Sequence, residues 1–395
     1  MHPHGRTLVL AFDGTANEFN HAMVYYQAGI GTYTDPGIRG TIQQWFAKTA
    51  DLAVAWYLDA HIRAGYEFLM ENHLPGDTIV MFGFSRGSYT ARALAGMLHS
   101  VGLLPKGNHE QVPFAYRIYK EQADLAHNFK ATFCKTVDIK MLGVWDTVAS
   151  VGYIIPRTLP FVSNGTIKAF RHAVSLDEHR TKWNVTLWKP EYEVAGRETR
   201  KPSSGKSPCV TEMWFAGCHS DVGGGNEVDG APMSLSNIPL RWMLHEIQEL
   251  DCGVLFDNDG LDRLKIPIDC VHRIPNPELD VNQRKLAGDR HLAQPSDVPH
   301  NIPTWDEADE RDIKAPLHDR LKMKPLYWLL QIPSWTGKRW DITGTRIFPT
   351  EEEREGCDLI HPTVLMRMQQ GYTPNAKLPQ NWKALVVDGN ASYSP

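Results

Sequence analysis

The run Gly83-Phe84-Ser85-Arg86-Gly87 restricts the possible fold of this chain more than any other stretch. It fits G-x-S-x-G, and its flanks carry more information than the pattern itself. Thr78 to Phe84 reads as a buried strand. After the serine, Ala91, Leu94, Ala95 and Leu98 fall at i, i+3, i+4 and i+7, one apolar stripe of a helix. A strand that turns through a serine straight into a helix is a sharp, strained elbow. It holds the hydroxyl above the helix N-terminus and leaves space only for glycine on either side. The pentapeptide alone is common and often marks an ordinary turn; with this strand before it and this helix after it, Ser85 is read as a nucleophile.

Further strand-like runs at Thr7–Phe12, Ile139–Trp145, Ile167–Val174 and Val210–Phe215 alternate with segments of helical spacing. That alternation predicts an α/β protein with a mostly parallel sheet and helices on both faces. Between the first two strands, Ile42 to Met70 is expected to form one or two helices ending before Pro75-Gly76. Leu240, Met243, Leu244 and Ile247 share one face of a later helix. From about Asn226 the chain becomes rich in Pro, Asp, Asn and Arg, with Trp305, Trp328, Trp335 and Trp340 scattered through it. The expected organisation is a catalytic core over 1–225, a helical or loop-rich cap or insertion over 226–350, and a C-terminal segment over 351–395 packing on the core. Peripheral packing is the plainer reading of the middle stretch.

The 395 residues suffice for a large core, and 42% hydrophobic with 22% charged residues is the balance of a folded chain. A net charge of −5 offers no basic footprint for nucleic acid. No apolar run reaches the roughly 18 residues of a transmembrane span, and Leu8 to Phe12 is too short for a signal sequence. A cytoplasmic location is therefore expected. The six cysteines show neither CxxC pairs nor zinc-like spacing and read as reduced thiols; without secretion the tripeptides at Asn164, Asn184 and Asn390 carry no meaning as glycosylation sites.

A serine hydroxyl needs a histidine to take its proton and an acid to orient that histidine. Gly143-Val-Trp-Asp146-Thr-Val148 ends a strand in an aspartate, at the sheet edge where open α/β sheets place their sites. Met213-Trp-Phe-Ala-Gly-Cys-His219 puts a histidine just past another strand, followed by a glycine run. The order Ser, Asp, His is that of the α/β-hydrolases, whose oxyanion hole uses the backbone N–H of the residue after the nucleophile, here Arg86. An Asp after a strand is also a common turn former or N-cap. By composition alone, Asp13, Asp177 and Asp221 compete as acids, and His179 and His361 as bases.

Together, Leu10-Ala-Phe-Asp-Gly-Thr15, Gly83-Phe-Ser-Arg-Gly87, Gly143-Val-Trp-Asp-Thr-Val148 and His219-Ser-Asp-Val-Gly-Gly-Gly225 resemble an α/β-hydrolase family typified by the type 1 phospholipase effectors of bacterial type VI secretion, which also has stand-alone fungal members. Tyr25-Tyr-Gln-Ala-Gly-Ile-Gly31, His172-Ala-Val-Ser-Leu-Asp-Glu178 and Ile238-Pro-Leu-Arg-Trp-Met243 support the likeness, which covers about residues 7 to 250. The resemblance implies a triad of Ser85, Asp146 and His219, with the Gly14-Thr15 loop as the other half of the oxyanion hole. Asp13 and Asp221, which accompany these motifs, are read as turn-fixing carboxylates. The chain departs from the bacterial effectors in lacking their long C-terminal membrane-targeting region and in a short stretch after Thr15.

Three imitations fail. Gly29-Ile-Gly31 lacks its third glycine, where Thr34 stands, and Gly205-Lys206-Ser207 lacks the first glycine of a phosphate loop, where Arg200 stands. His245-Glu246 has Glu249 in place of a second zinc-binding histidine. No cofactor or metal is expected. The expected activity is hydrolysis of carboxylic esters, including lipid or phospholipid esters, through an acyl-enzyme. The alternatives are the same triad acting on an amide, thioester or lactone as hydrolase or acyltransferase, and a non-catalytic binding protein on the same scaffold.

Overall fold

Apolar runs buried on both faces pair in parallel, because only a sheet covered on both sides hides them completely. The structure, a computed structural model, describes residues 6–13, 25–27, 46–121, 123–148, 166–180, 183–188, 209–228, 230–257, 260–261, 305–323, 345–349 and 357–386. Within these, β1 (Thr7–Phe12), β2 (Tyr25–Gln27), β3 (Thr78–Phe84), β4 (Ile139–Trp145), β5 (Ile167–Ser175), β6 (Cys209–Phe215) and β7 (Cys357–Ile360) form one sheet in the order β2-β1-β3-β4-β5-β6-β7. Every pairing is parallel. The chain is an α/β protein with an α/β-hydrolase-like sheet.

Strand alternation assigns the two faces. Ile79 and Met81 of β3, Leu142 and Val144 of β4 and Phe170 of β5 join a cluster with α1 (Phe46–Asn72), α2 (Arg86–Val101), α3 (Val112–Glu121) and α4 (Ala123–Phe133). The intervening Val80, Met141, Ala173 and Met213 face a different cluster, built with Trp242, Met243, Leu244 and Ile247 from a helix over Asn237–Glu249. A fully buried Ile, Leu, Met or Phe contributes about 1.5–3 kcal/mol, so each face of the sheet is held by many such terms. The buried Tyr66 hydroxyl is matched twice: it donates to the Gly102 carbonyl at 2.9 Å and accepts the Leu104 N–H at 2.9 Å.

The expected strands appear at the predicted positions, β5 and β6 each one residue longer than the run that marked them. In α2 the whole stripe Ala91, Leu94, Ala95 and Leu98 is buried, while on the helix after Asn237 Leu240 lies only partly covered beside buried Met243, Leu244 and Ile247. Much of the stretch expected as a cap, including 262–304 and 324–344, lies outside the described residues. Arg241, with a side chain 1% exposed, ties its helix to the one over Trp305–Asp312 through ion pairs with Asp312, at 2.7 Å, and Asp309. Among the described residues no helix is long and apolar enough to cross a membrane.

The topology fixes where a site can form. From β1 the sheet grows to β2 on one side and to β3 on the other, so chain connections diverge at the C-terminal ends of β1 and β3. Such a switch point opens a crevice at that rim. The residues that follow β3, β4 and β6 all emerge along the same edge.

Candidate active site

Ser85 occupies the turn between β3 and α2 with φ 58° and ψ −120°. Backbone of this kind costs on the order of 1–3 kcal/mol in a residue with a side chain and persists only where surroundings impose it. Here they do. A Cβ on Gly87 would stand 2.1 Å from the Phe12 carbonyl oxygen, and one on Gly83 would stand 2.6 Å from the Gly87 carbonyl oxygen. The Ser85 N–H donates to the Trp145 carbonyl at 3.0 Å, and the Ser88 hydroxyl lies 2.6 Å from the Gly83 carbonyl and 2.9 Å from that of Trp145. The elbow is thereby stitched to β1, β3 and β4. Arg86 is the first residue of α2, where helix geometry directs N–H groups toward the serine side.

Asp146 directly follows β4 and also has a positive φ, 41°, with its N–H donating to the Ala173 carbonyl at 2.8 Å. Its carboxylate is fully buried and accepts from every side. Oδ1 takes the Ser175 N–H at 3.0 Å and Arg346 Nη1 at 2.5 Å; Oδ2 takes Arg346 Nη2 at 2.9 Å and His219 Nδ1 at 2.6 Å. Burial alone would raise the Asp146 carboxyl, but the Arg346 charge and the His219 hydrogen bond outweigh it and hold the group far below the usual carboxylate range.

His219 begins a short helix, α5 (His219–Gly223), immediately beyond β6. Three consecutive backbone N–H groups before and at this residue are each taken by a different carboxylate: Gly217 by Asp177 at 2.6 Å, Cys218 by Asp221 at 3.0 Å and His219 by Glu178 at 3.4 Å. With the backbone so held, the imidazole packs at a tilt against Phe84, 4.7 Å between centroids, and its Nε2 lies 2.8 Å from Ser85 Oγ. Since Asp146 can only accept, Nδ1 carries the proton and Nε2 accepts the serine O–H. Ser85, Asp146 and His219 thus form one continuous hydrogen-bonded line, with relative exposures of 5%, 0% and 4%.

The other residues singled out in the sequence have different surroundings. Asp13 accepts the Tyr26 hydroxyl at 2.8 Å. Asp221, besides the Cys218 N–H, accepts the His318 N–H at 3.0 Å and meets His318 Nδ1 at 2.8 Å. Asp177 accepts the Tyr372 hydroxyl at 2.6 Å and the Asn375 N–H at 2.8 Å; burial raises its carboxyl in spite of these bonds. His179 pairs with Asp319 at 2.9 Å, and His361 stacks on Phe215. None of these is bonded to Ser85, and Gly14 and Thr15 lie outside the described residues. Among the described residues no group of three His, Cys, Asp or Glu side chains is arranged to hold a metal ion.

Two neighbours of the line escaped the sequence reading. Glu178 stands in a quoted block, but nothing there distinguishes it as the carboxylate under the His219 N–H. Arg346 lies in the Pro- and Trp-rich stretch, and no local pattern sets it apart.

An uncharacterized protein of Saccharomyces cerevisiae is 36% identical to the chain over 226 residues, a match covering 47% of this chain and 33% of that protein, so the matched stretch spans about a third of the relative's length. A crystal structure of an uncharacterized protein from Pseudomonas aeruginosa aligns with a TM-score of 0.39 at 18% identity, over 67% of this chain and 49% of that one. Residues 16–246, well over half of the 395 and inclusive of Ser85, Asp146 and His219, match the description "T6SS, Phospholipase effector Tle1-like, catalytic domain". The chain belongs to the Tle1-like phospholipase effector catalytic domain family.

Proposed function

We propose that the protein is a serine hydrolase of lipid carboxylic esters working through an acyl-enzyme. The observation that carries this reading is the unbroken path from Ser85 Oγ to His219 Nε2 at 2.8 Å and from His219 Nδ1 to Asp146 Oδ2 at 2.6 Å. His219 removes the serine proton as Oγ attacks the ester carbonyl, and Asp146 keeps the imidazole in the tautomer that can accept it. The tetrahedral oxyanion is met by the Arg86 N–H at the head of α2 and by the Gly14-Thr15 loop. Collapse expels the alcohol, which takes the proton from His219. Water, activated by the same imidazole, then releases the acid. The phospholipase description of the family supports a lipid acyl ester as substrate.

The test is a screen of p-nitrophenyl esters of graded length together with phospholipid vesicles, run beside Ser85→Ala and beside labelling with a fluorophosphonate probe. The wild type labels and turns over; Ser85→Ala does neither, with a loss on the order of 10³-fold or more in rate and an unchanged fold. Undiminished turnover in Ser85→Ala would remove the nucleophile from the proposal. A folded wild type that binds acyl ligands without reacting would leave the scaffold a binding role instead.

A further inference from the structure

The acid end of the hydrogen-bonded line carries a charge that a serine–histidine–aspartate arrangement does not need. The Arg346 guanidinium grips both oxygens of Asp146, Nη1 on Oδ1 at 2.5 Å and Nη2 on Oδ2 at 2.9 Å, with side chains 3% and 0% exposed. The same guanidinium reaches the Ser175 carbonyl at 2.8 Å and the Trp183 carbonyl at 2.8 Å, so its position is set by β5 and the segment after it. Arg346 also lies a hundred residues beyond the end of the stretch, 16–246, that the family match covers.

An unopposed carboxylate beside an imidazole stabilises the imidazolium and raises the pH needed to free the base. A cation on the far side of that carboxylate works the other way. Resting on the triad reading above, we propose that Arg346 is a positioning residue that clamps both oxygens of Asp146 and offsets its charge at the acid end of the hydrogen-bonded line.

The other charged groups around His219 do not supply that offset. Glu178, at the His219 N–H, is itself paired with Arg180, whose Nη2 lies 2.7 Å from Oε2. Asp221 is shared among the Cys218 N–H, Asn226 and His318, and Asp177 among the Gly217 N–H, Tyr372 and Asn375. The Cys218 thiol is buried and pushed well up by that burial, so it stays neutral. Past Asp146, His172 is bonded to Glu212 at 2.7 Å and accepts the Thr147 N–H at 3.1 Å. Phe84 closes the other face of the ring without charge. Among the described residues, Arg346 is the cation in direct contact with Asp146.

The experiment follows the rate of fluorophosphonate labelling at Ser85 against pH in the wild type, Arg346→Met and Arg346→Lys, with circular dichroism as a check on folding and Ser85→Ala as the blank. In Arg346→Met the acid-side midpoint of the labelling rate rises and the plateau rate falls by roughly 10–100-fold as Asp146 loses its clamp. In Arg346→Lys the charge is kept and the midpoint stays near that of the wild type, while the plateau falls because one ammonium cannot hold both oxygens. A folded Arg346→Met with an unshifted midpoint overturns the inference while leaving the triad intact. If the methionine variant does not fold, the lysine variant decides: a normal midpoint with a lowered plateau upholds the inference, and a raised midpoint or an unchanged plateau overturns it. A folded wild type that never labels sinks the triad reading itself and takes this inference with it.

Discussion

Replacing Asp146 by asparagine removes one charge and no volume, and the contacts around it determine the result. Two acceptor oxygens, each with two donors, become one acceptor and one NH₂ group. If the amide oxygen stays where Oδ1 is, it still receives the Ser175 N–H and Arg346 Nη1, which stand at 3.0 and 2.5 Å. The amide nitrogen then faces Arg346 Nη2 and His219 Nδ1, donors against donor, across separations of 2.9 and 2.6 Å. His219 relieves the clash only by giving up its Nδ1 proton and carrying it on Nε2, where it can no longer accept the Ser85 hydroxyl. The opposite amide orientation serves His219 but turns the NH₂ toward Ser175 and Arg346 Nη1. The wrong tautomer is expected to cost on the order of 10³–10⁴-fold in labelling and turnover, or about 4–5.5 kcal/mol of barrier. Leaving Arg346 buried without its counter-charge is expected to cost about 3–5 kcal/mol of stability. Labelling rate and urea denaturation of the same preparation measure both. A folded Asp146→Asn protein that labels within tenfold of the wild type would refute the tautomer argument, and an unaltered urea midpoint would refute the buried pair.

Gly87→Ala tests the elbow from the other side: its methyl would meet the Phe12 carbonyl oxygen at 2.1 Å and that of Asp13 at 2.7 Å, both backbone atoms with no rotamer to yield. The variant is expected to lose about 3 kcal/mol or more of stability together with labelling, and a urea midpoint equal to that of the wild type would show that β1 and α2 are not so closely apposed. Stability should also respond to pH through buried histidines: burial lowers His99 from 6.5 to about 4 and lowers His172 as well. Because protonation then favours the unfolded chain, their contribution is full above about pH 6.5 and is lost as pH falls toward the folded values; the depressed carboxyls of Asp146 and Glu178 add a second loss below about pH 4. A thermal midpoint that declines steadily from about pH 7 to about pH 5 is the expected result of a scanning-fluorimetry series, and a flat profile over that interval would contradict it.

Much of this site is legible residue by residue because each member sits at the end of a recognisable strand. Ser85 follows β3, Asp146 follows β4 and His219 follows β6 after a short turn, and a parallel sheet delivers all three strand ends to one rim without further instruction. Local patterns therefore made these three candidates, but they left Asp177 and His179, just beyond β5 at the same rim, as competitors, and only the family resemblance preferred Asp146 and His219. What separates them is the direction of a side chain, and that is fixed by bonds such as Gly217 to Asp177, which no periodicity encodes. The edge strands were missed for a simpler reason: β2 has three residues and β7 four, too few for alternation to register. Arg346 belongs to neither case. It meets Asp146 across 200 positions of chain, in a segment bridged by Ile347 to Lys377, and its meaning lies wholly in that contact. Strand ends decide which side chains converge on the rim, whereas the segment laid across it decides what charge they meet there. Two chains sharing the elbow, the aspartate and the histidine can therefore differ in what grips that aspartate, through a residue beyond the stretch that the family match covers.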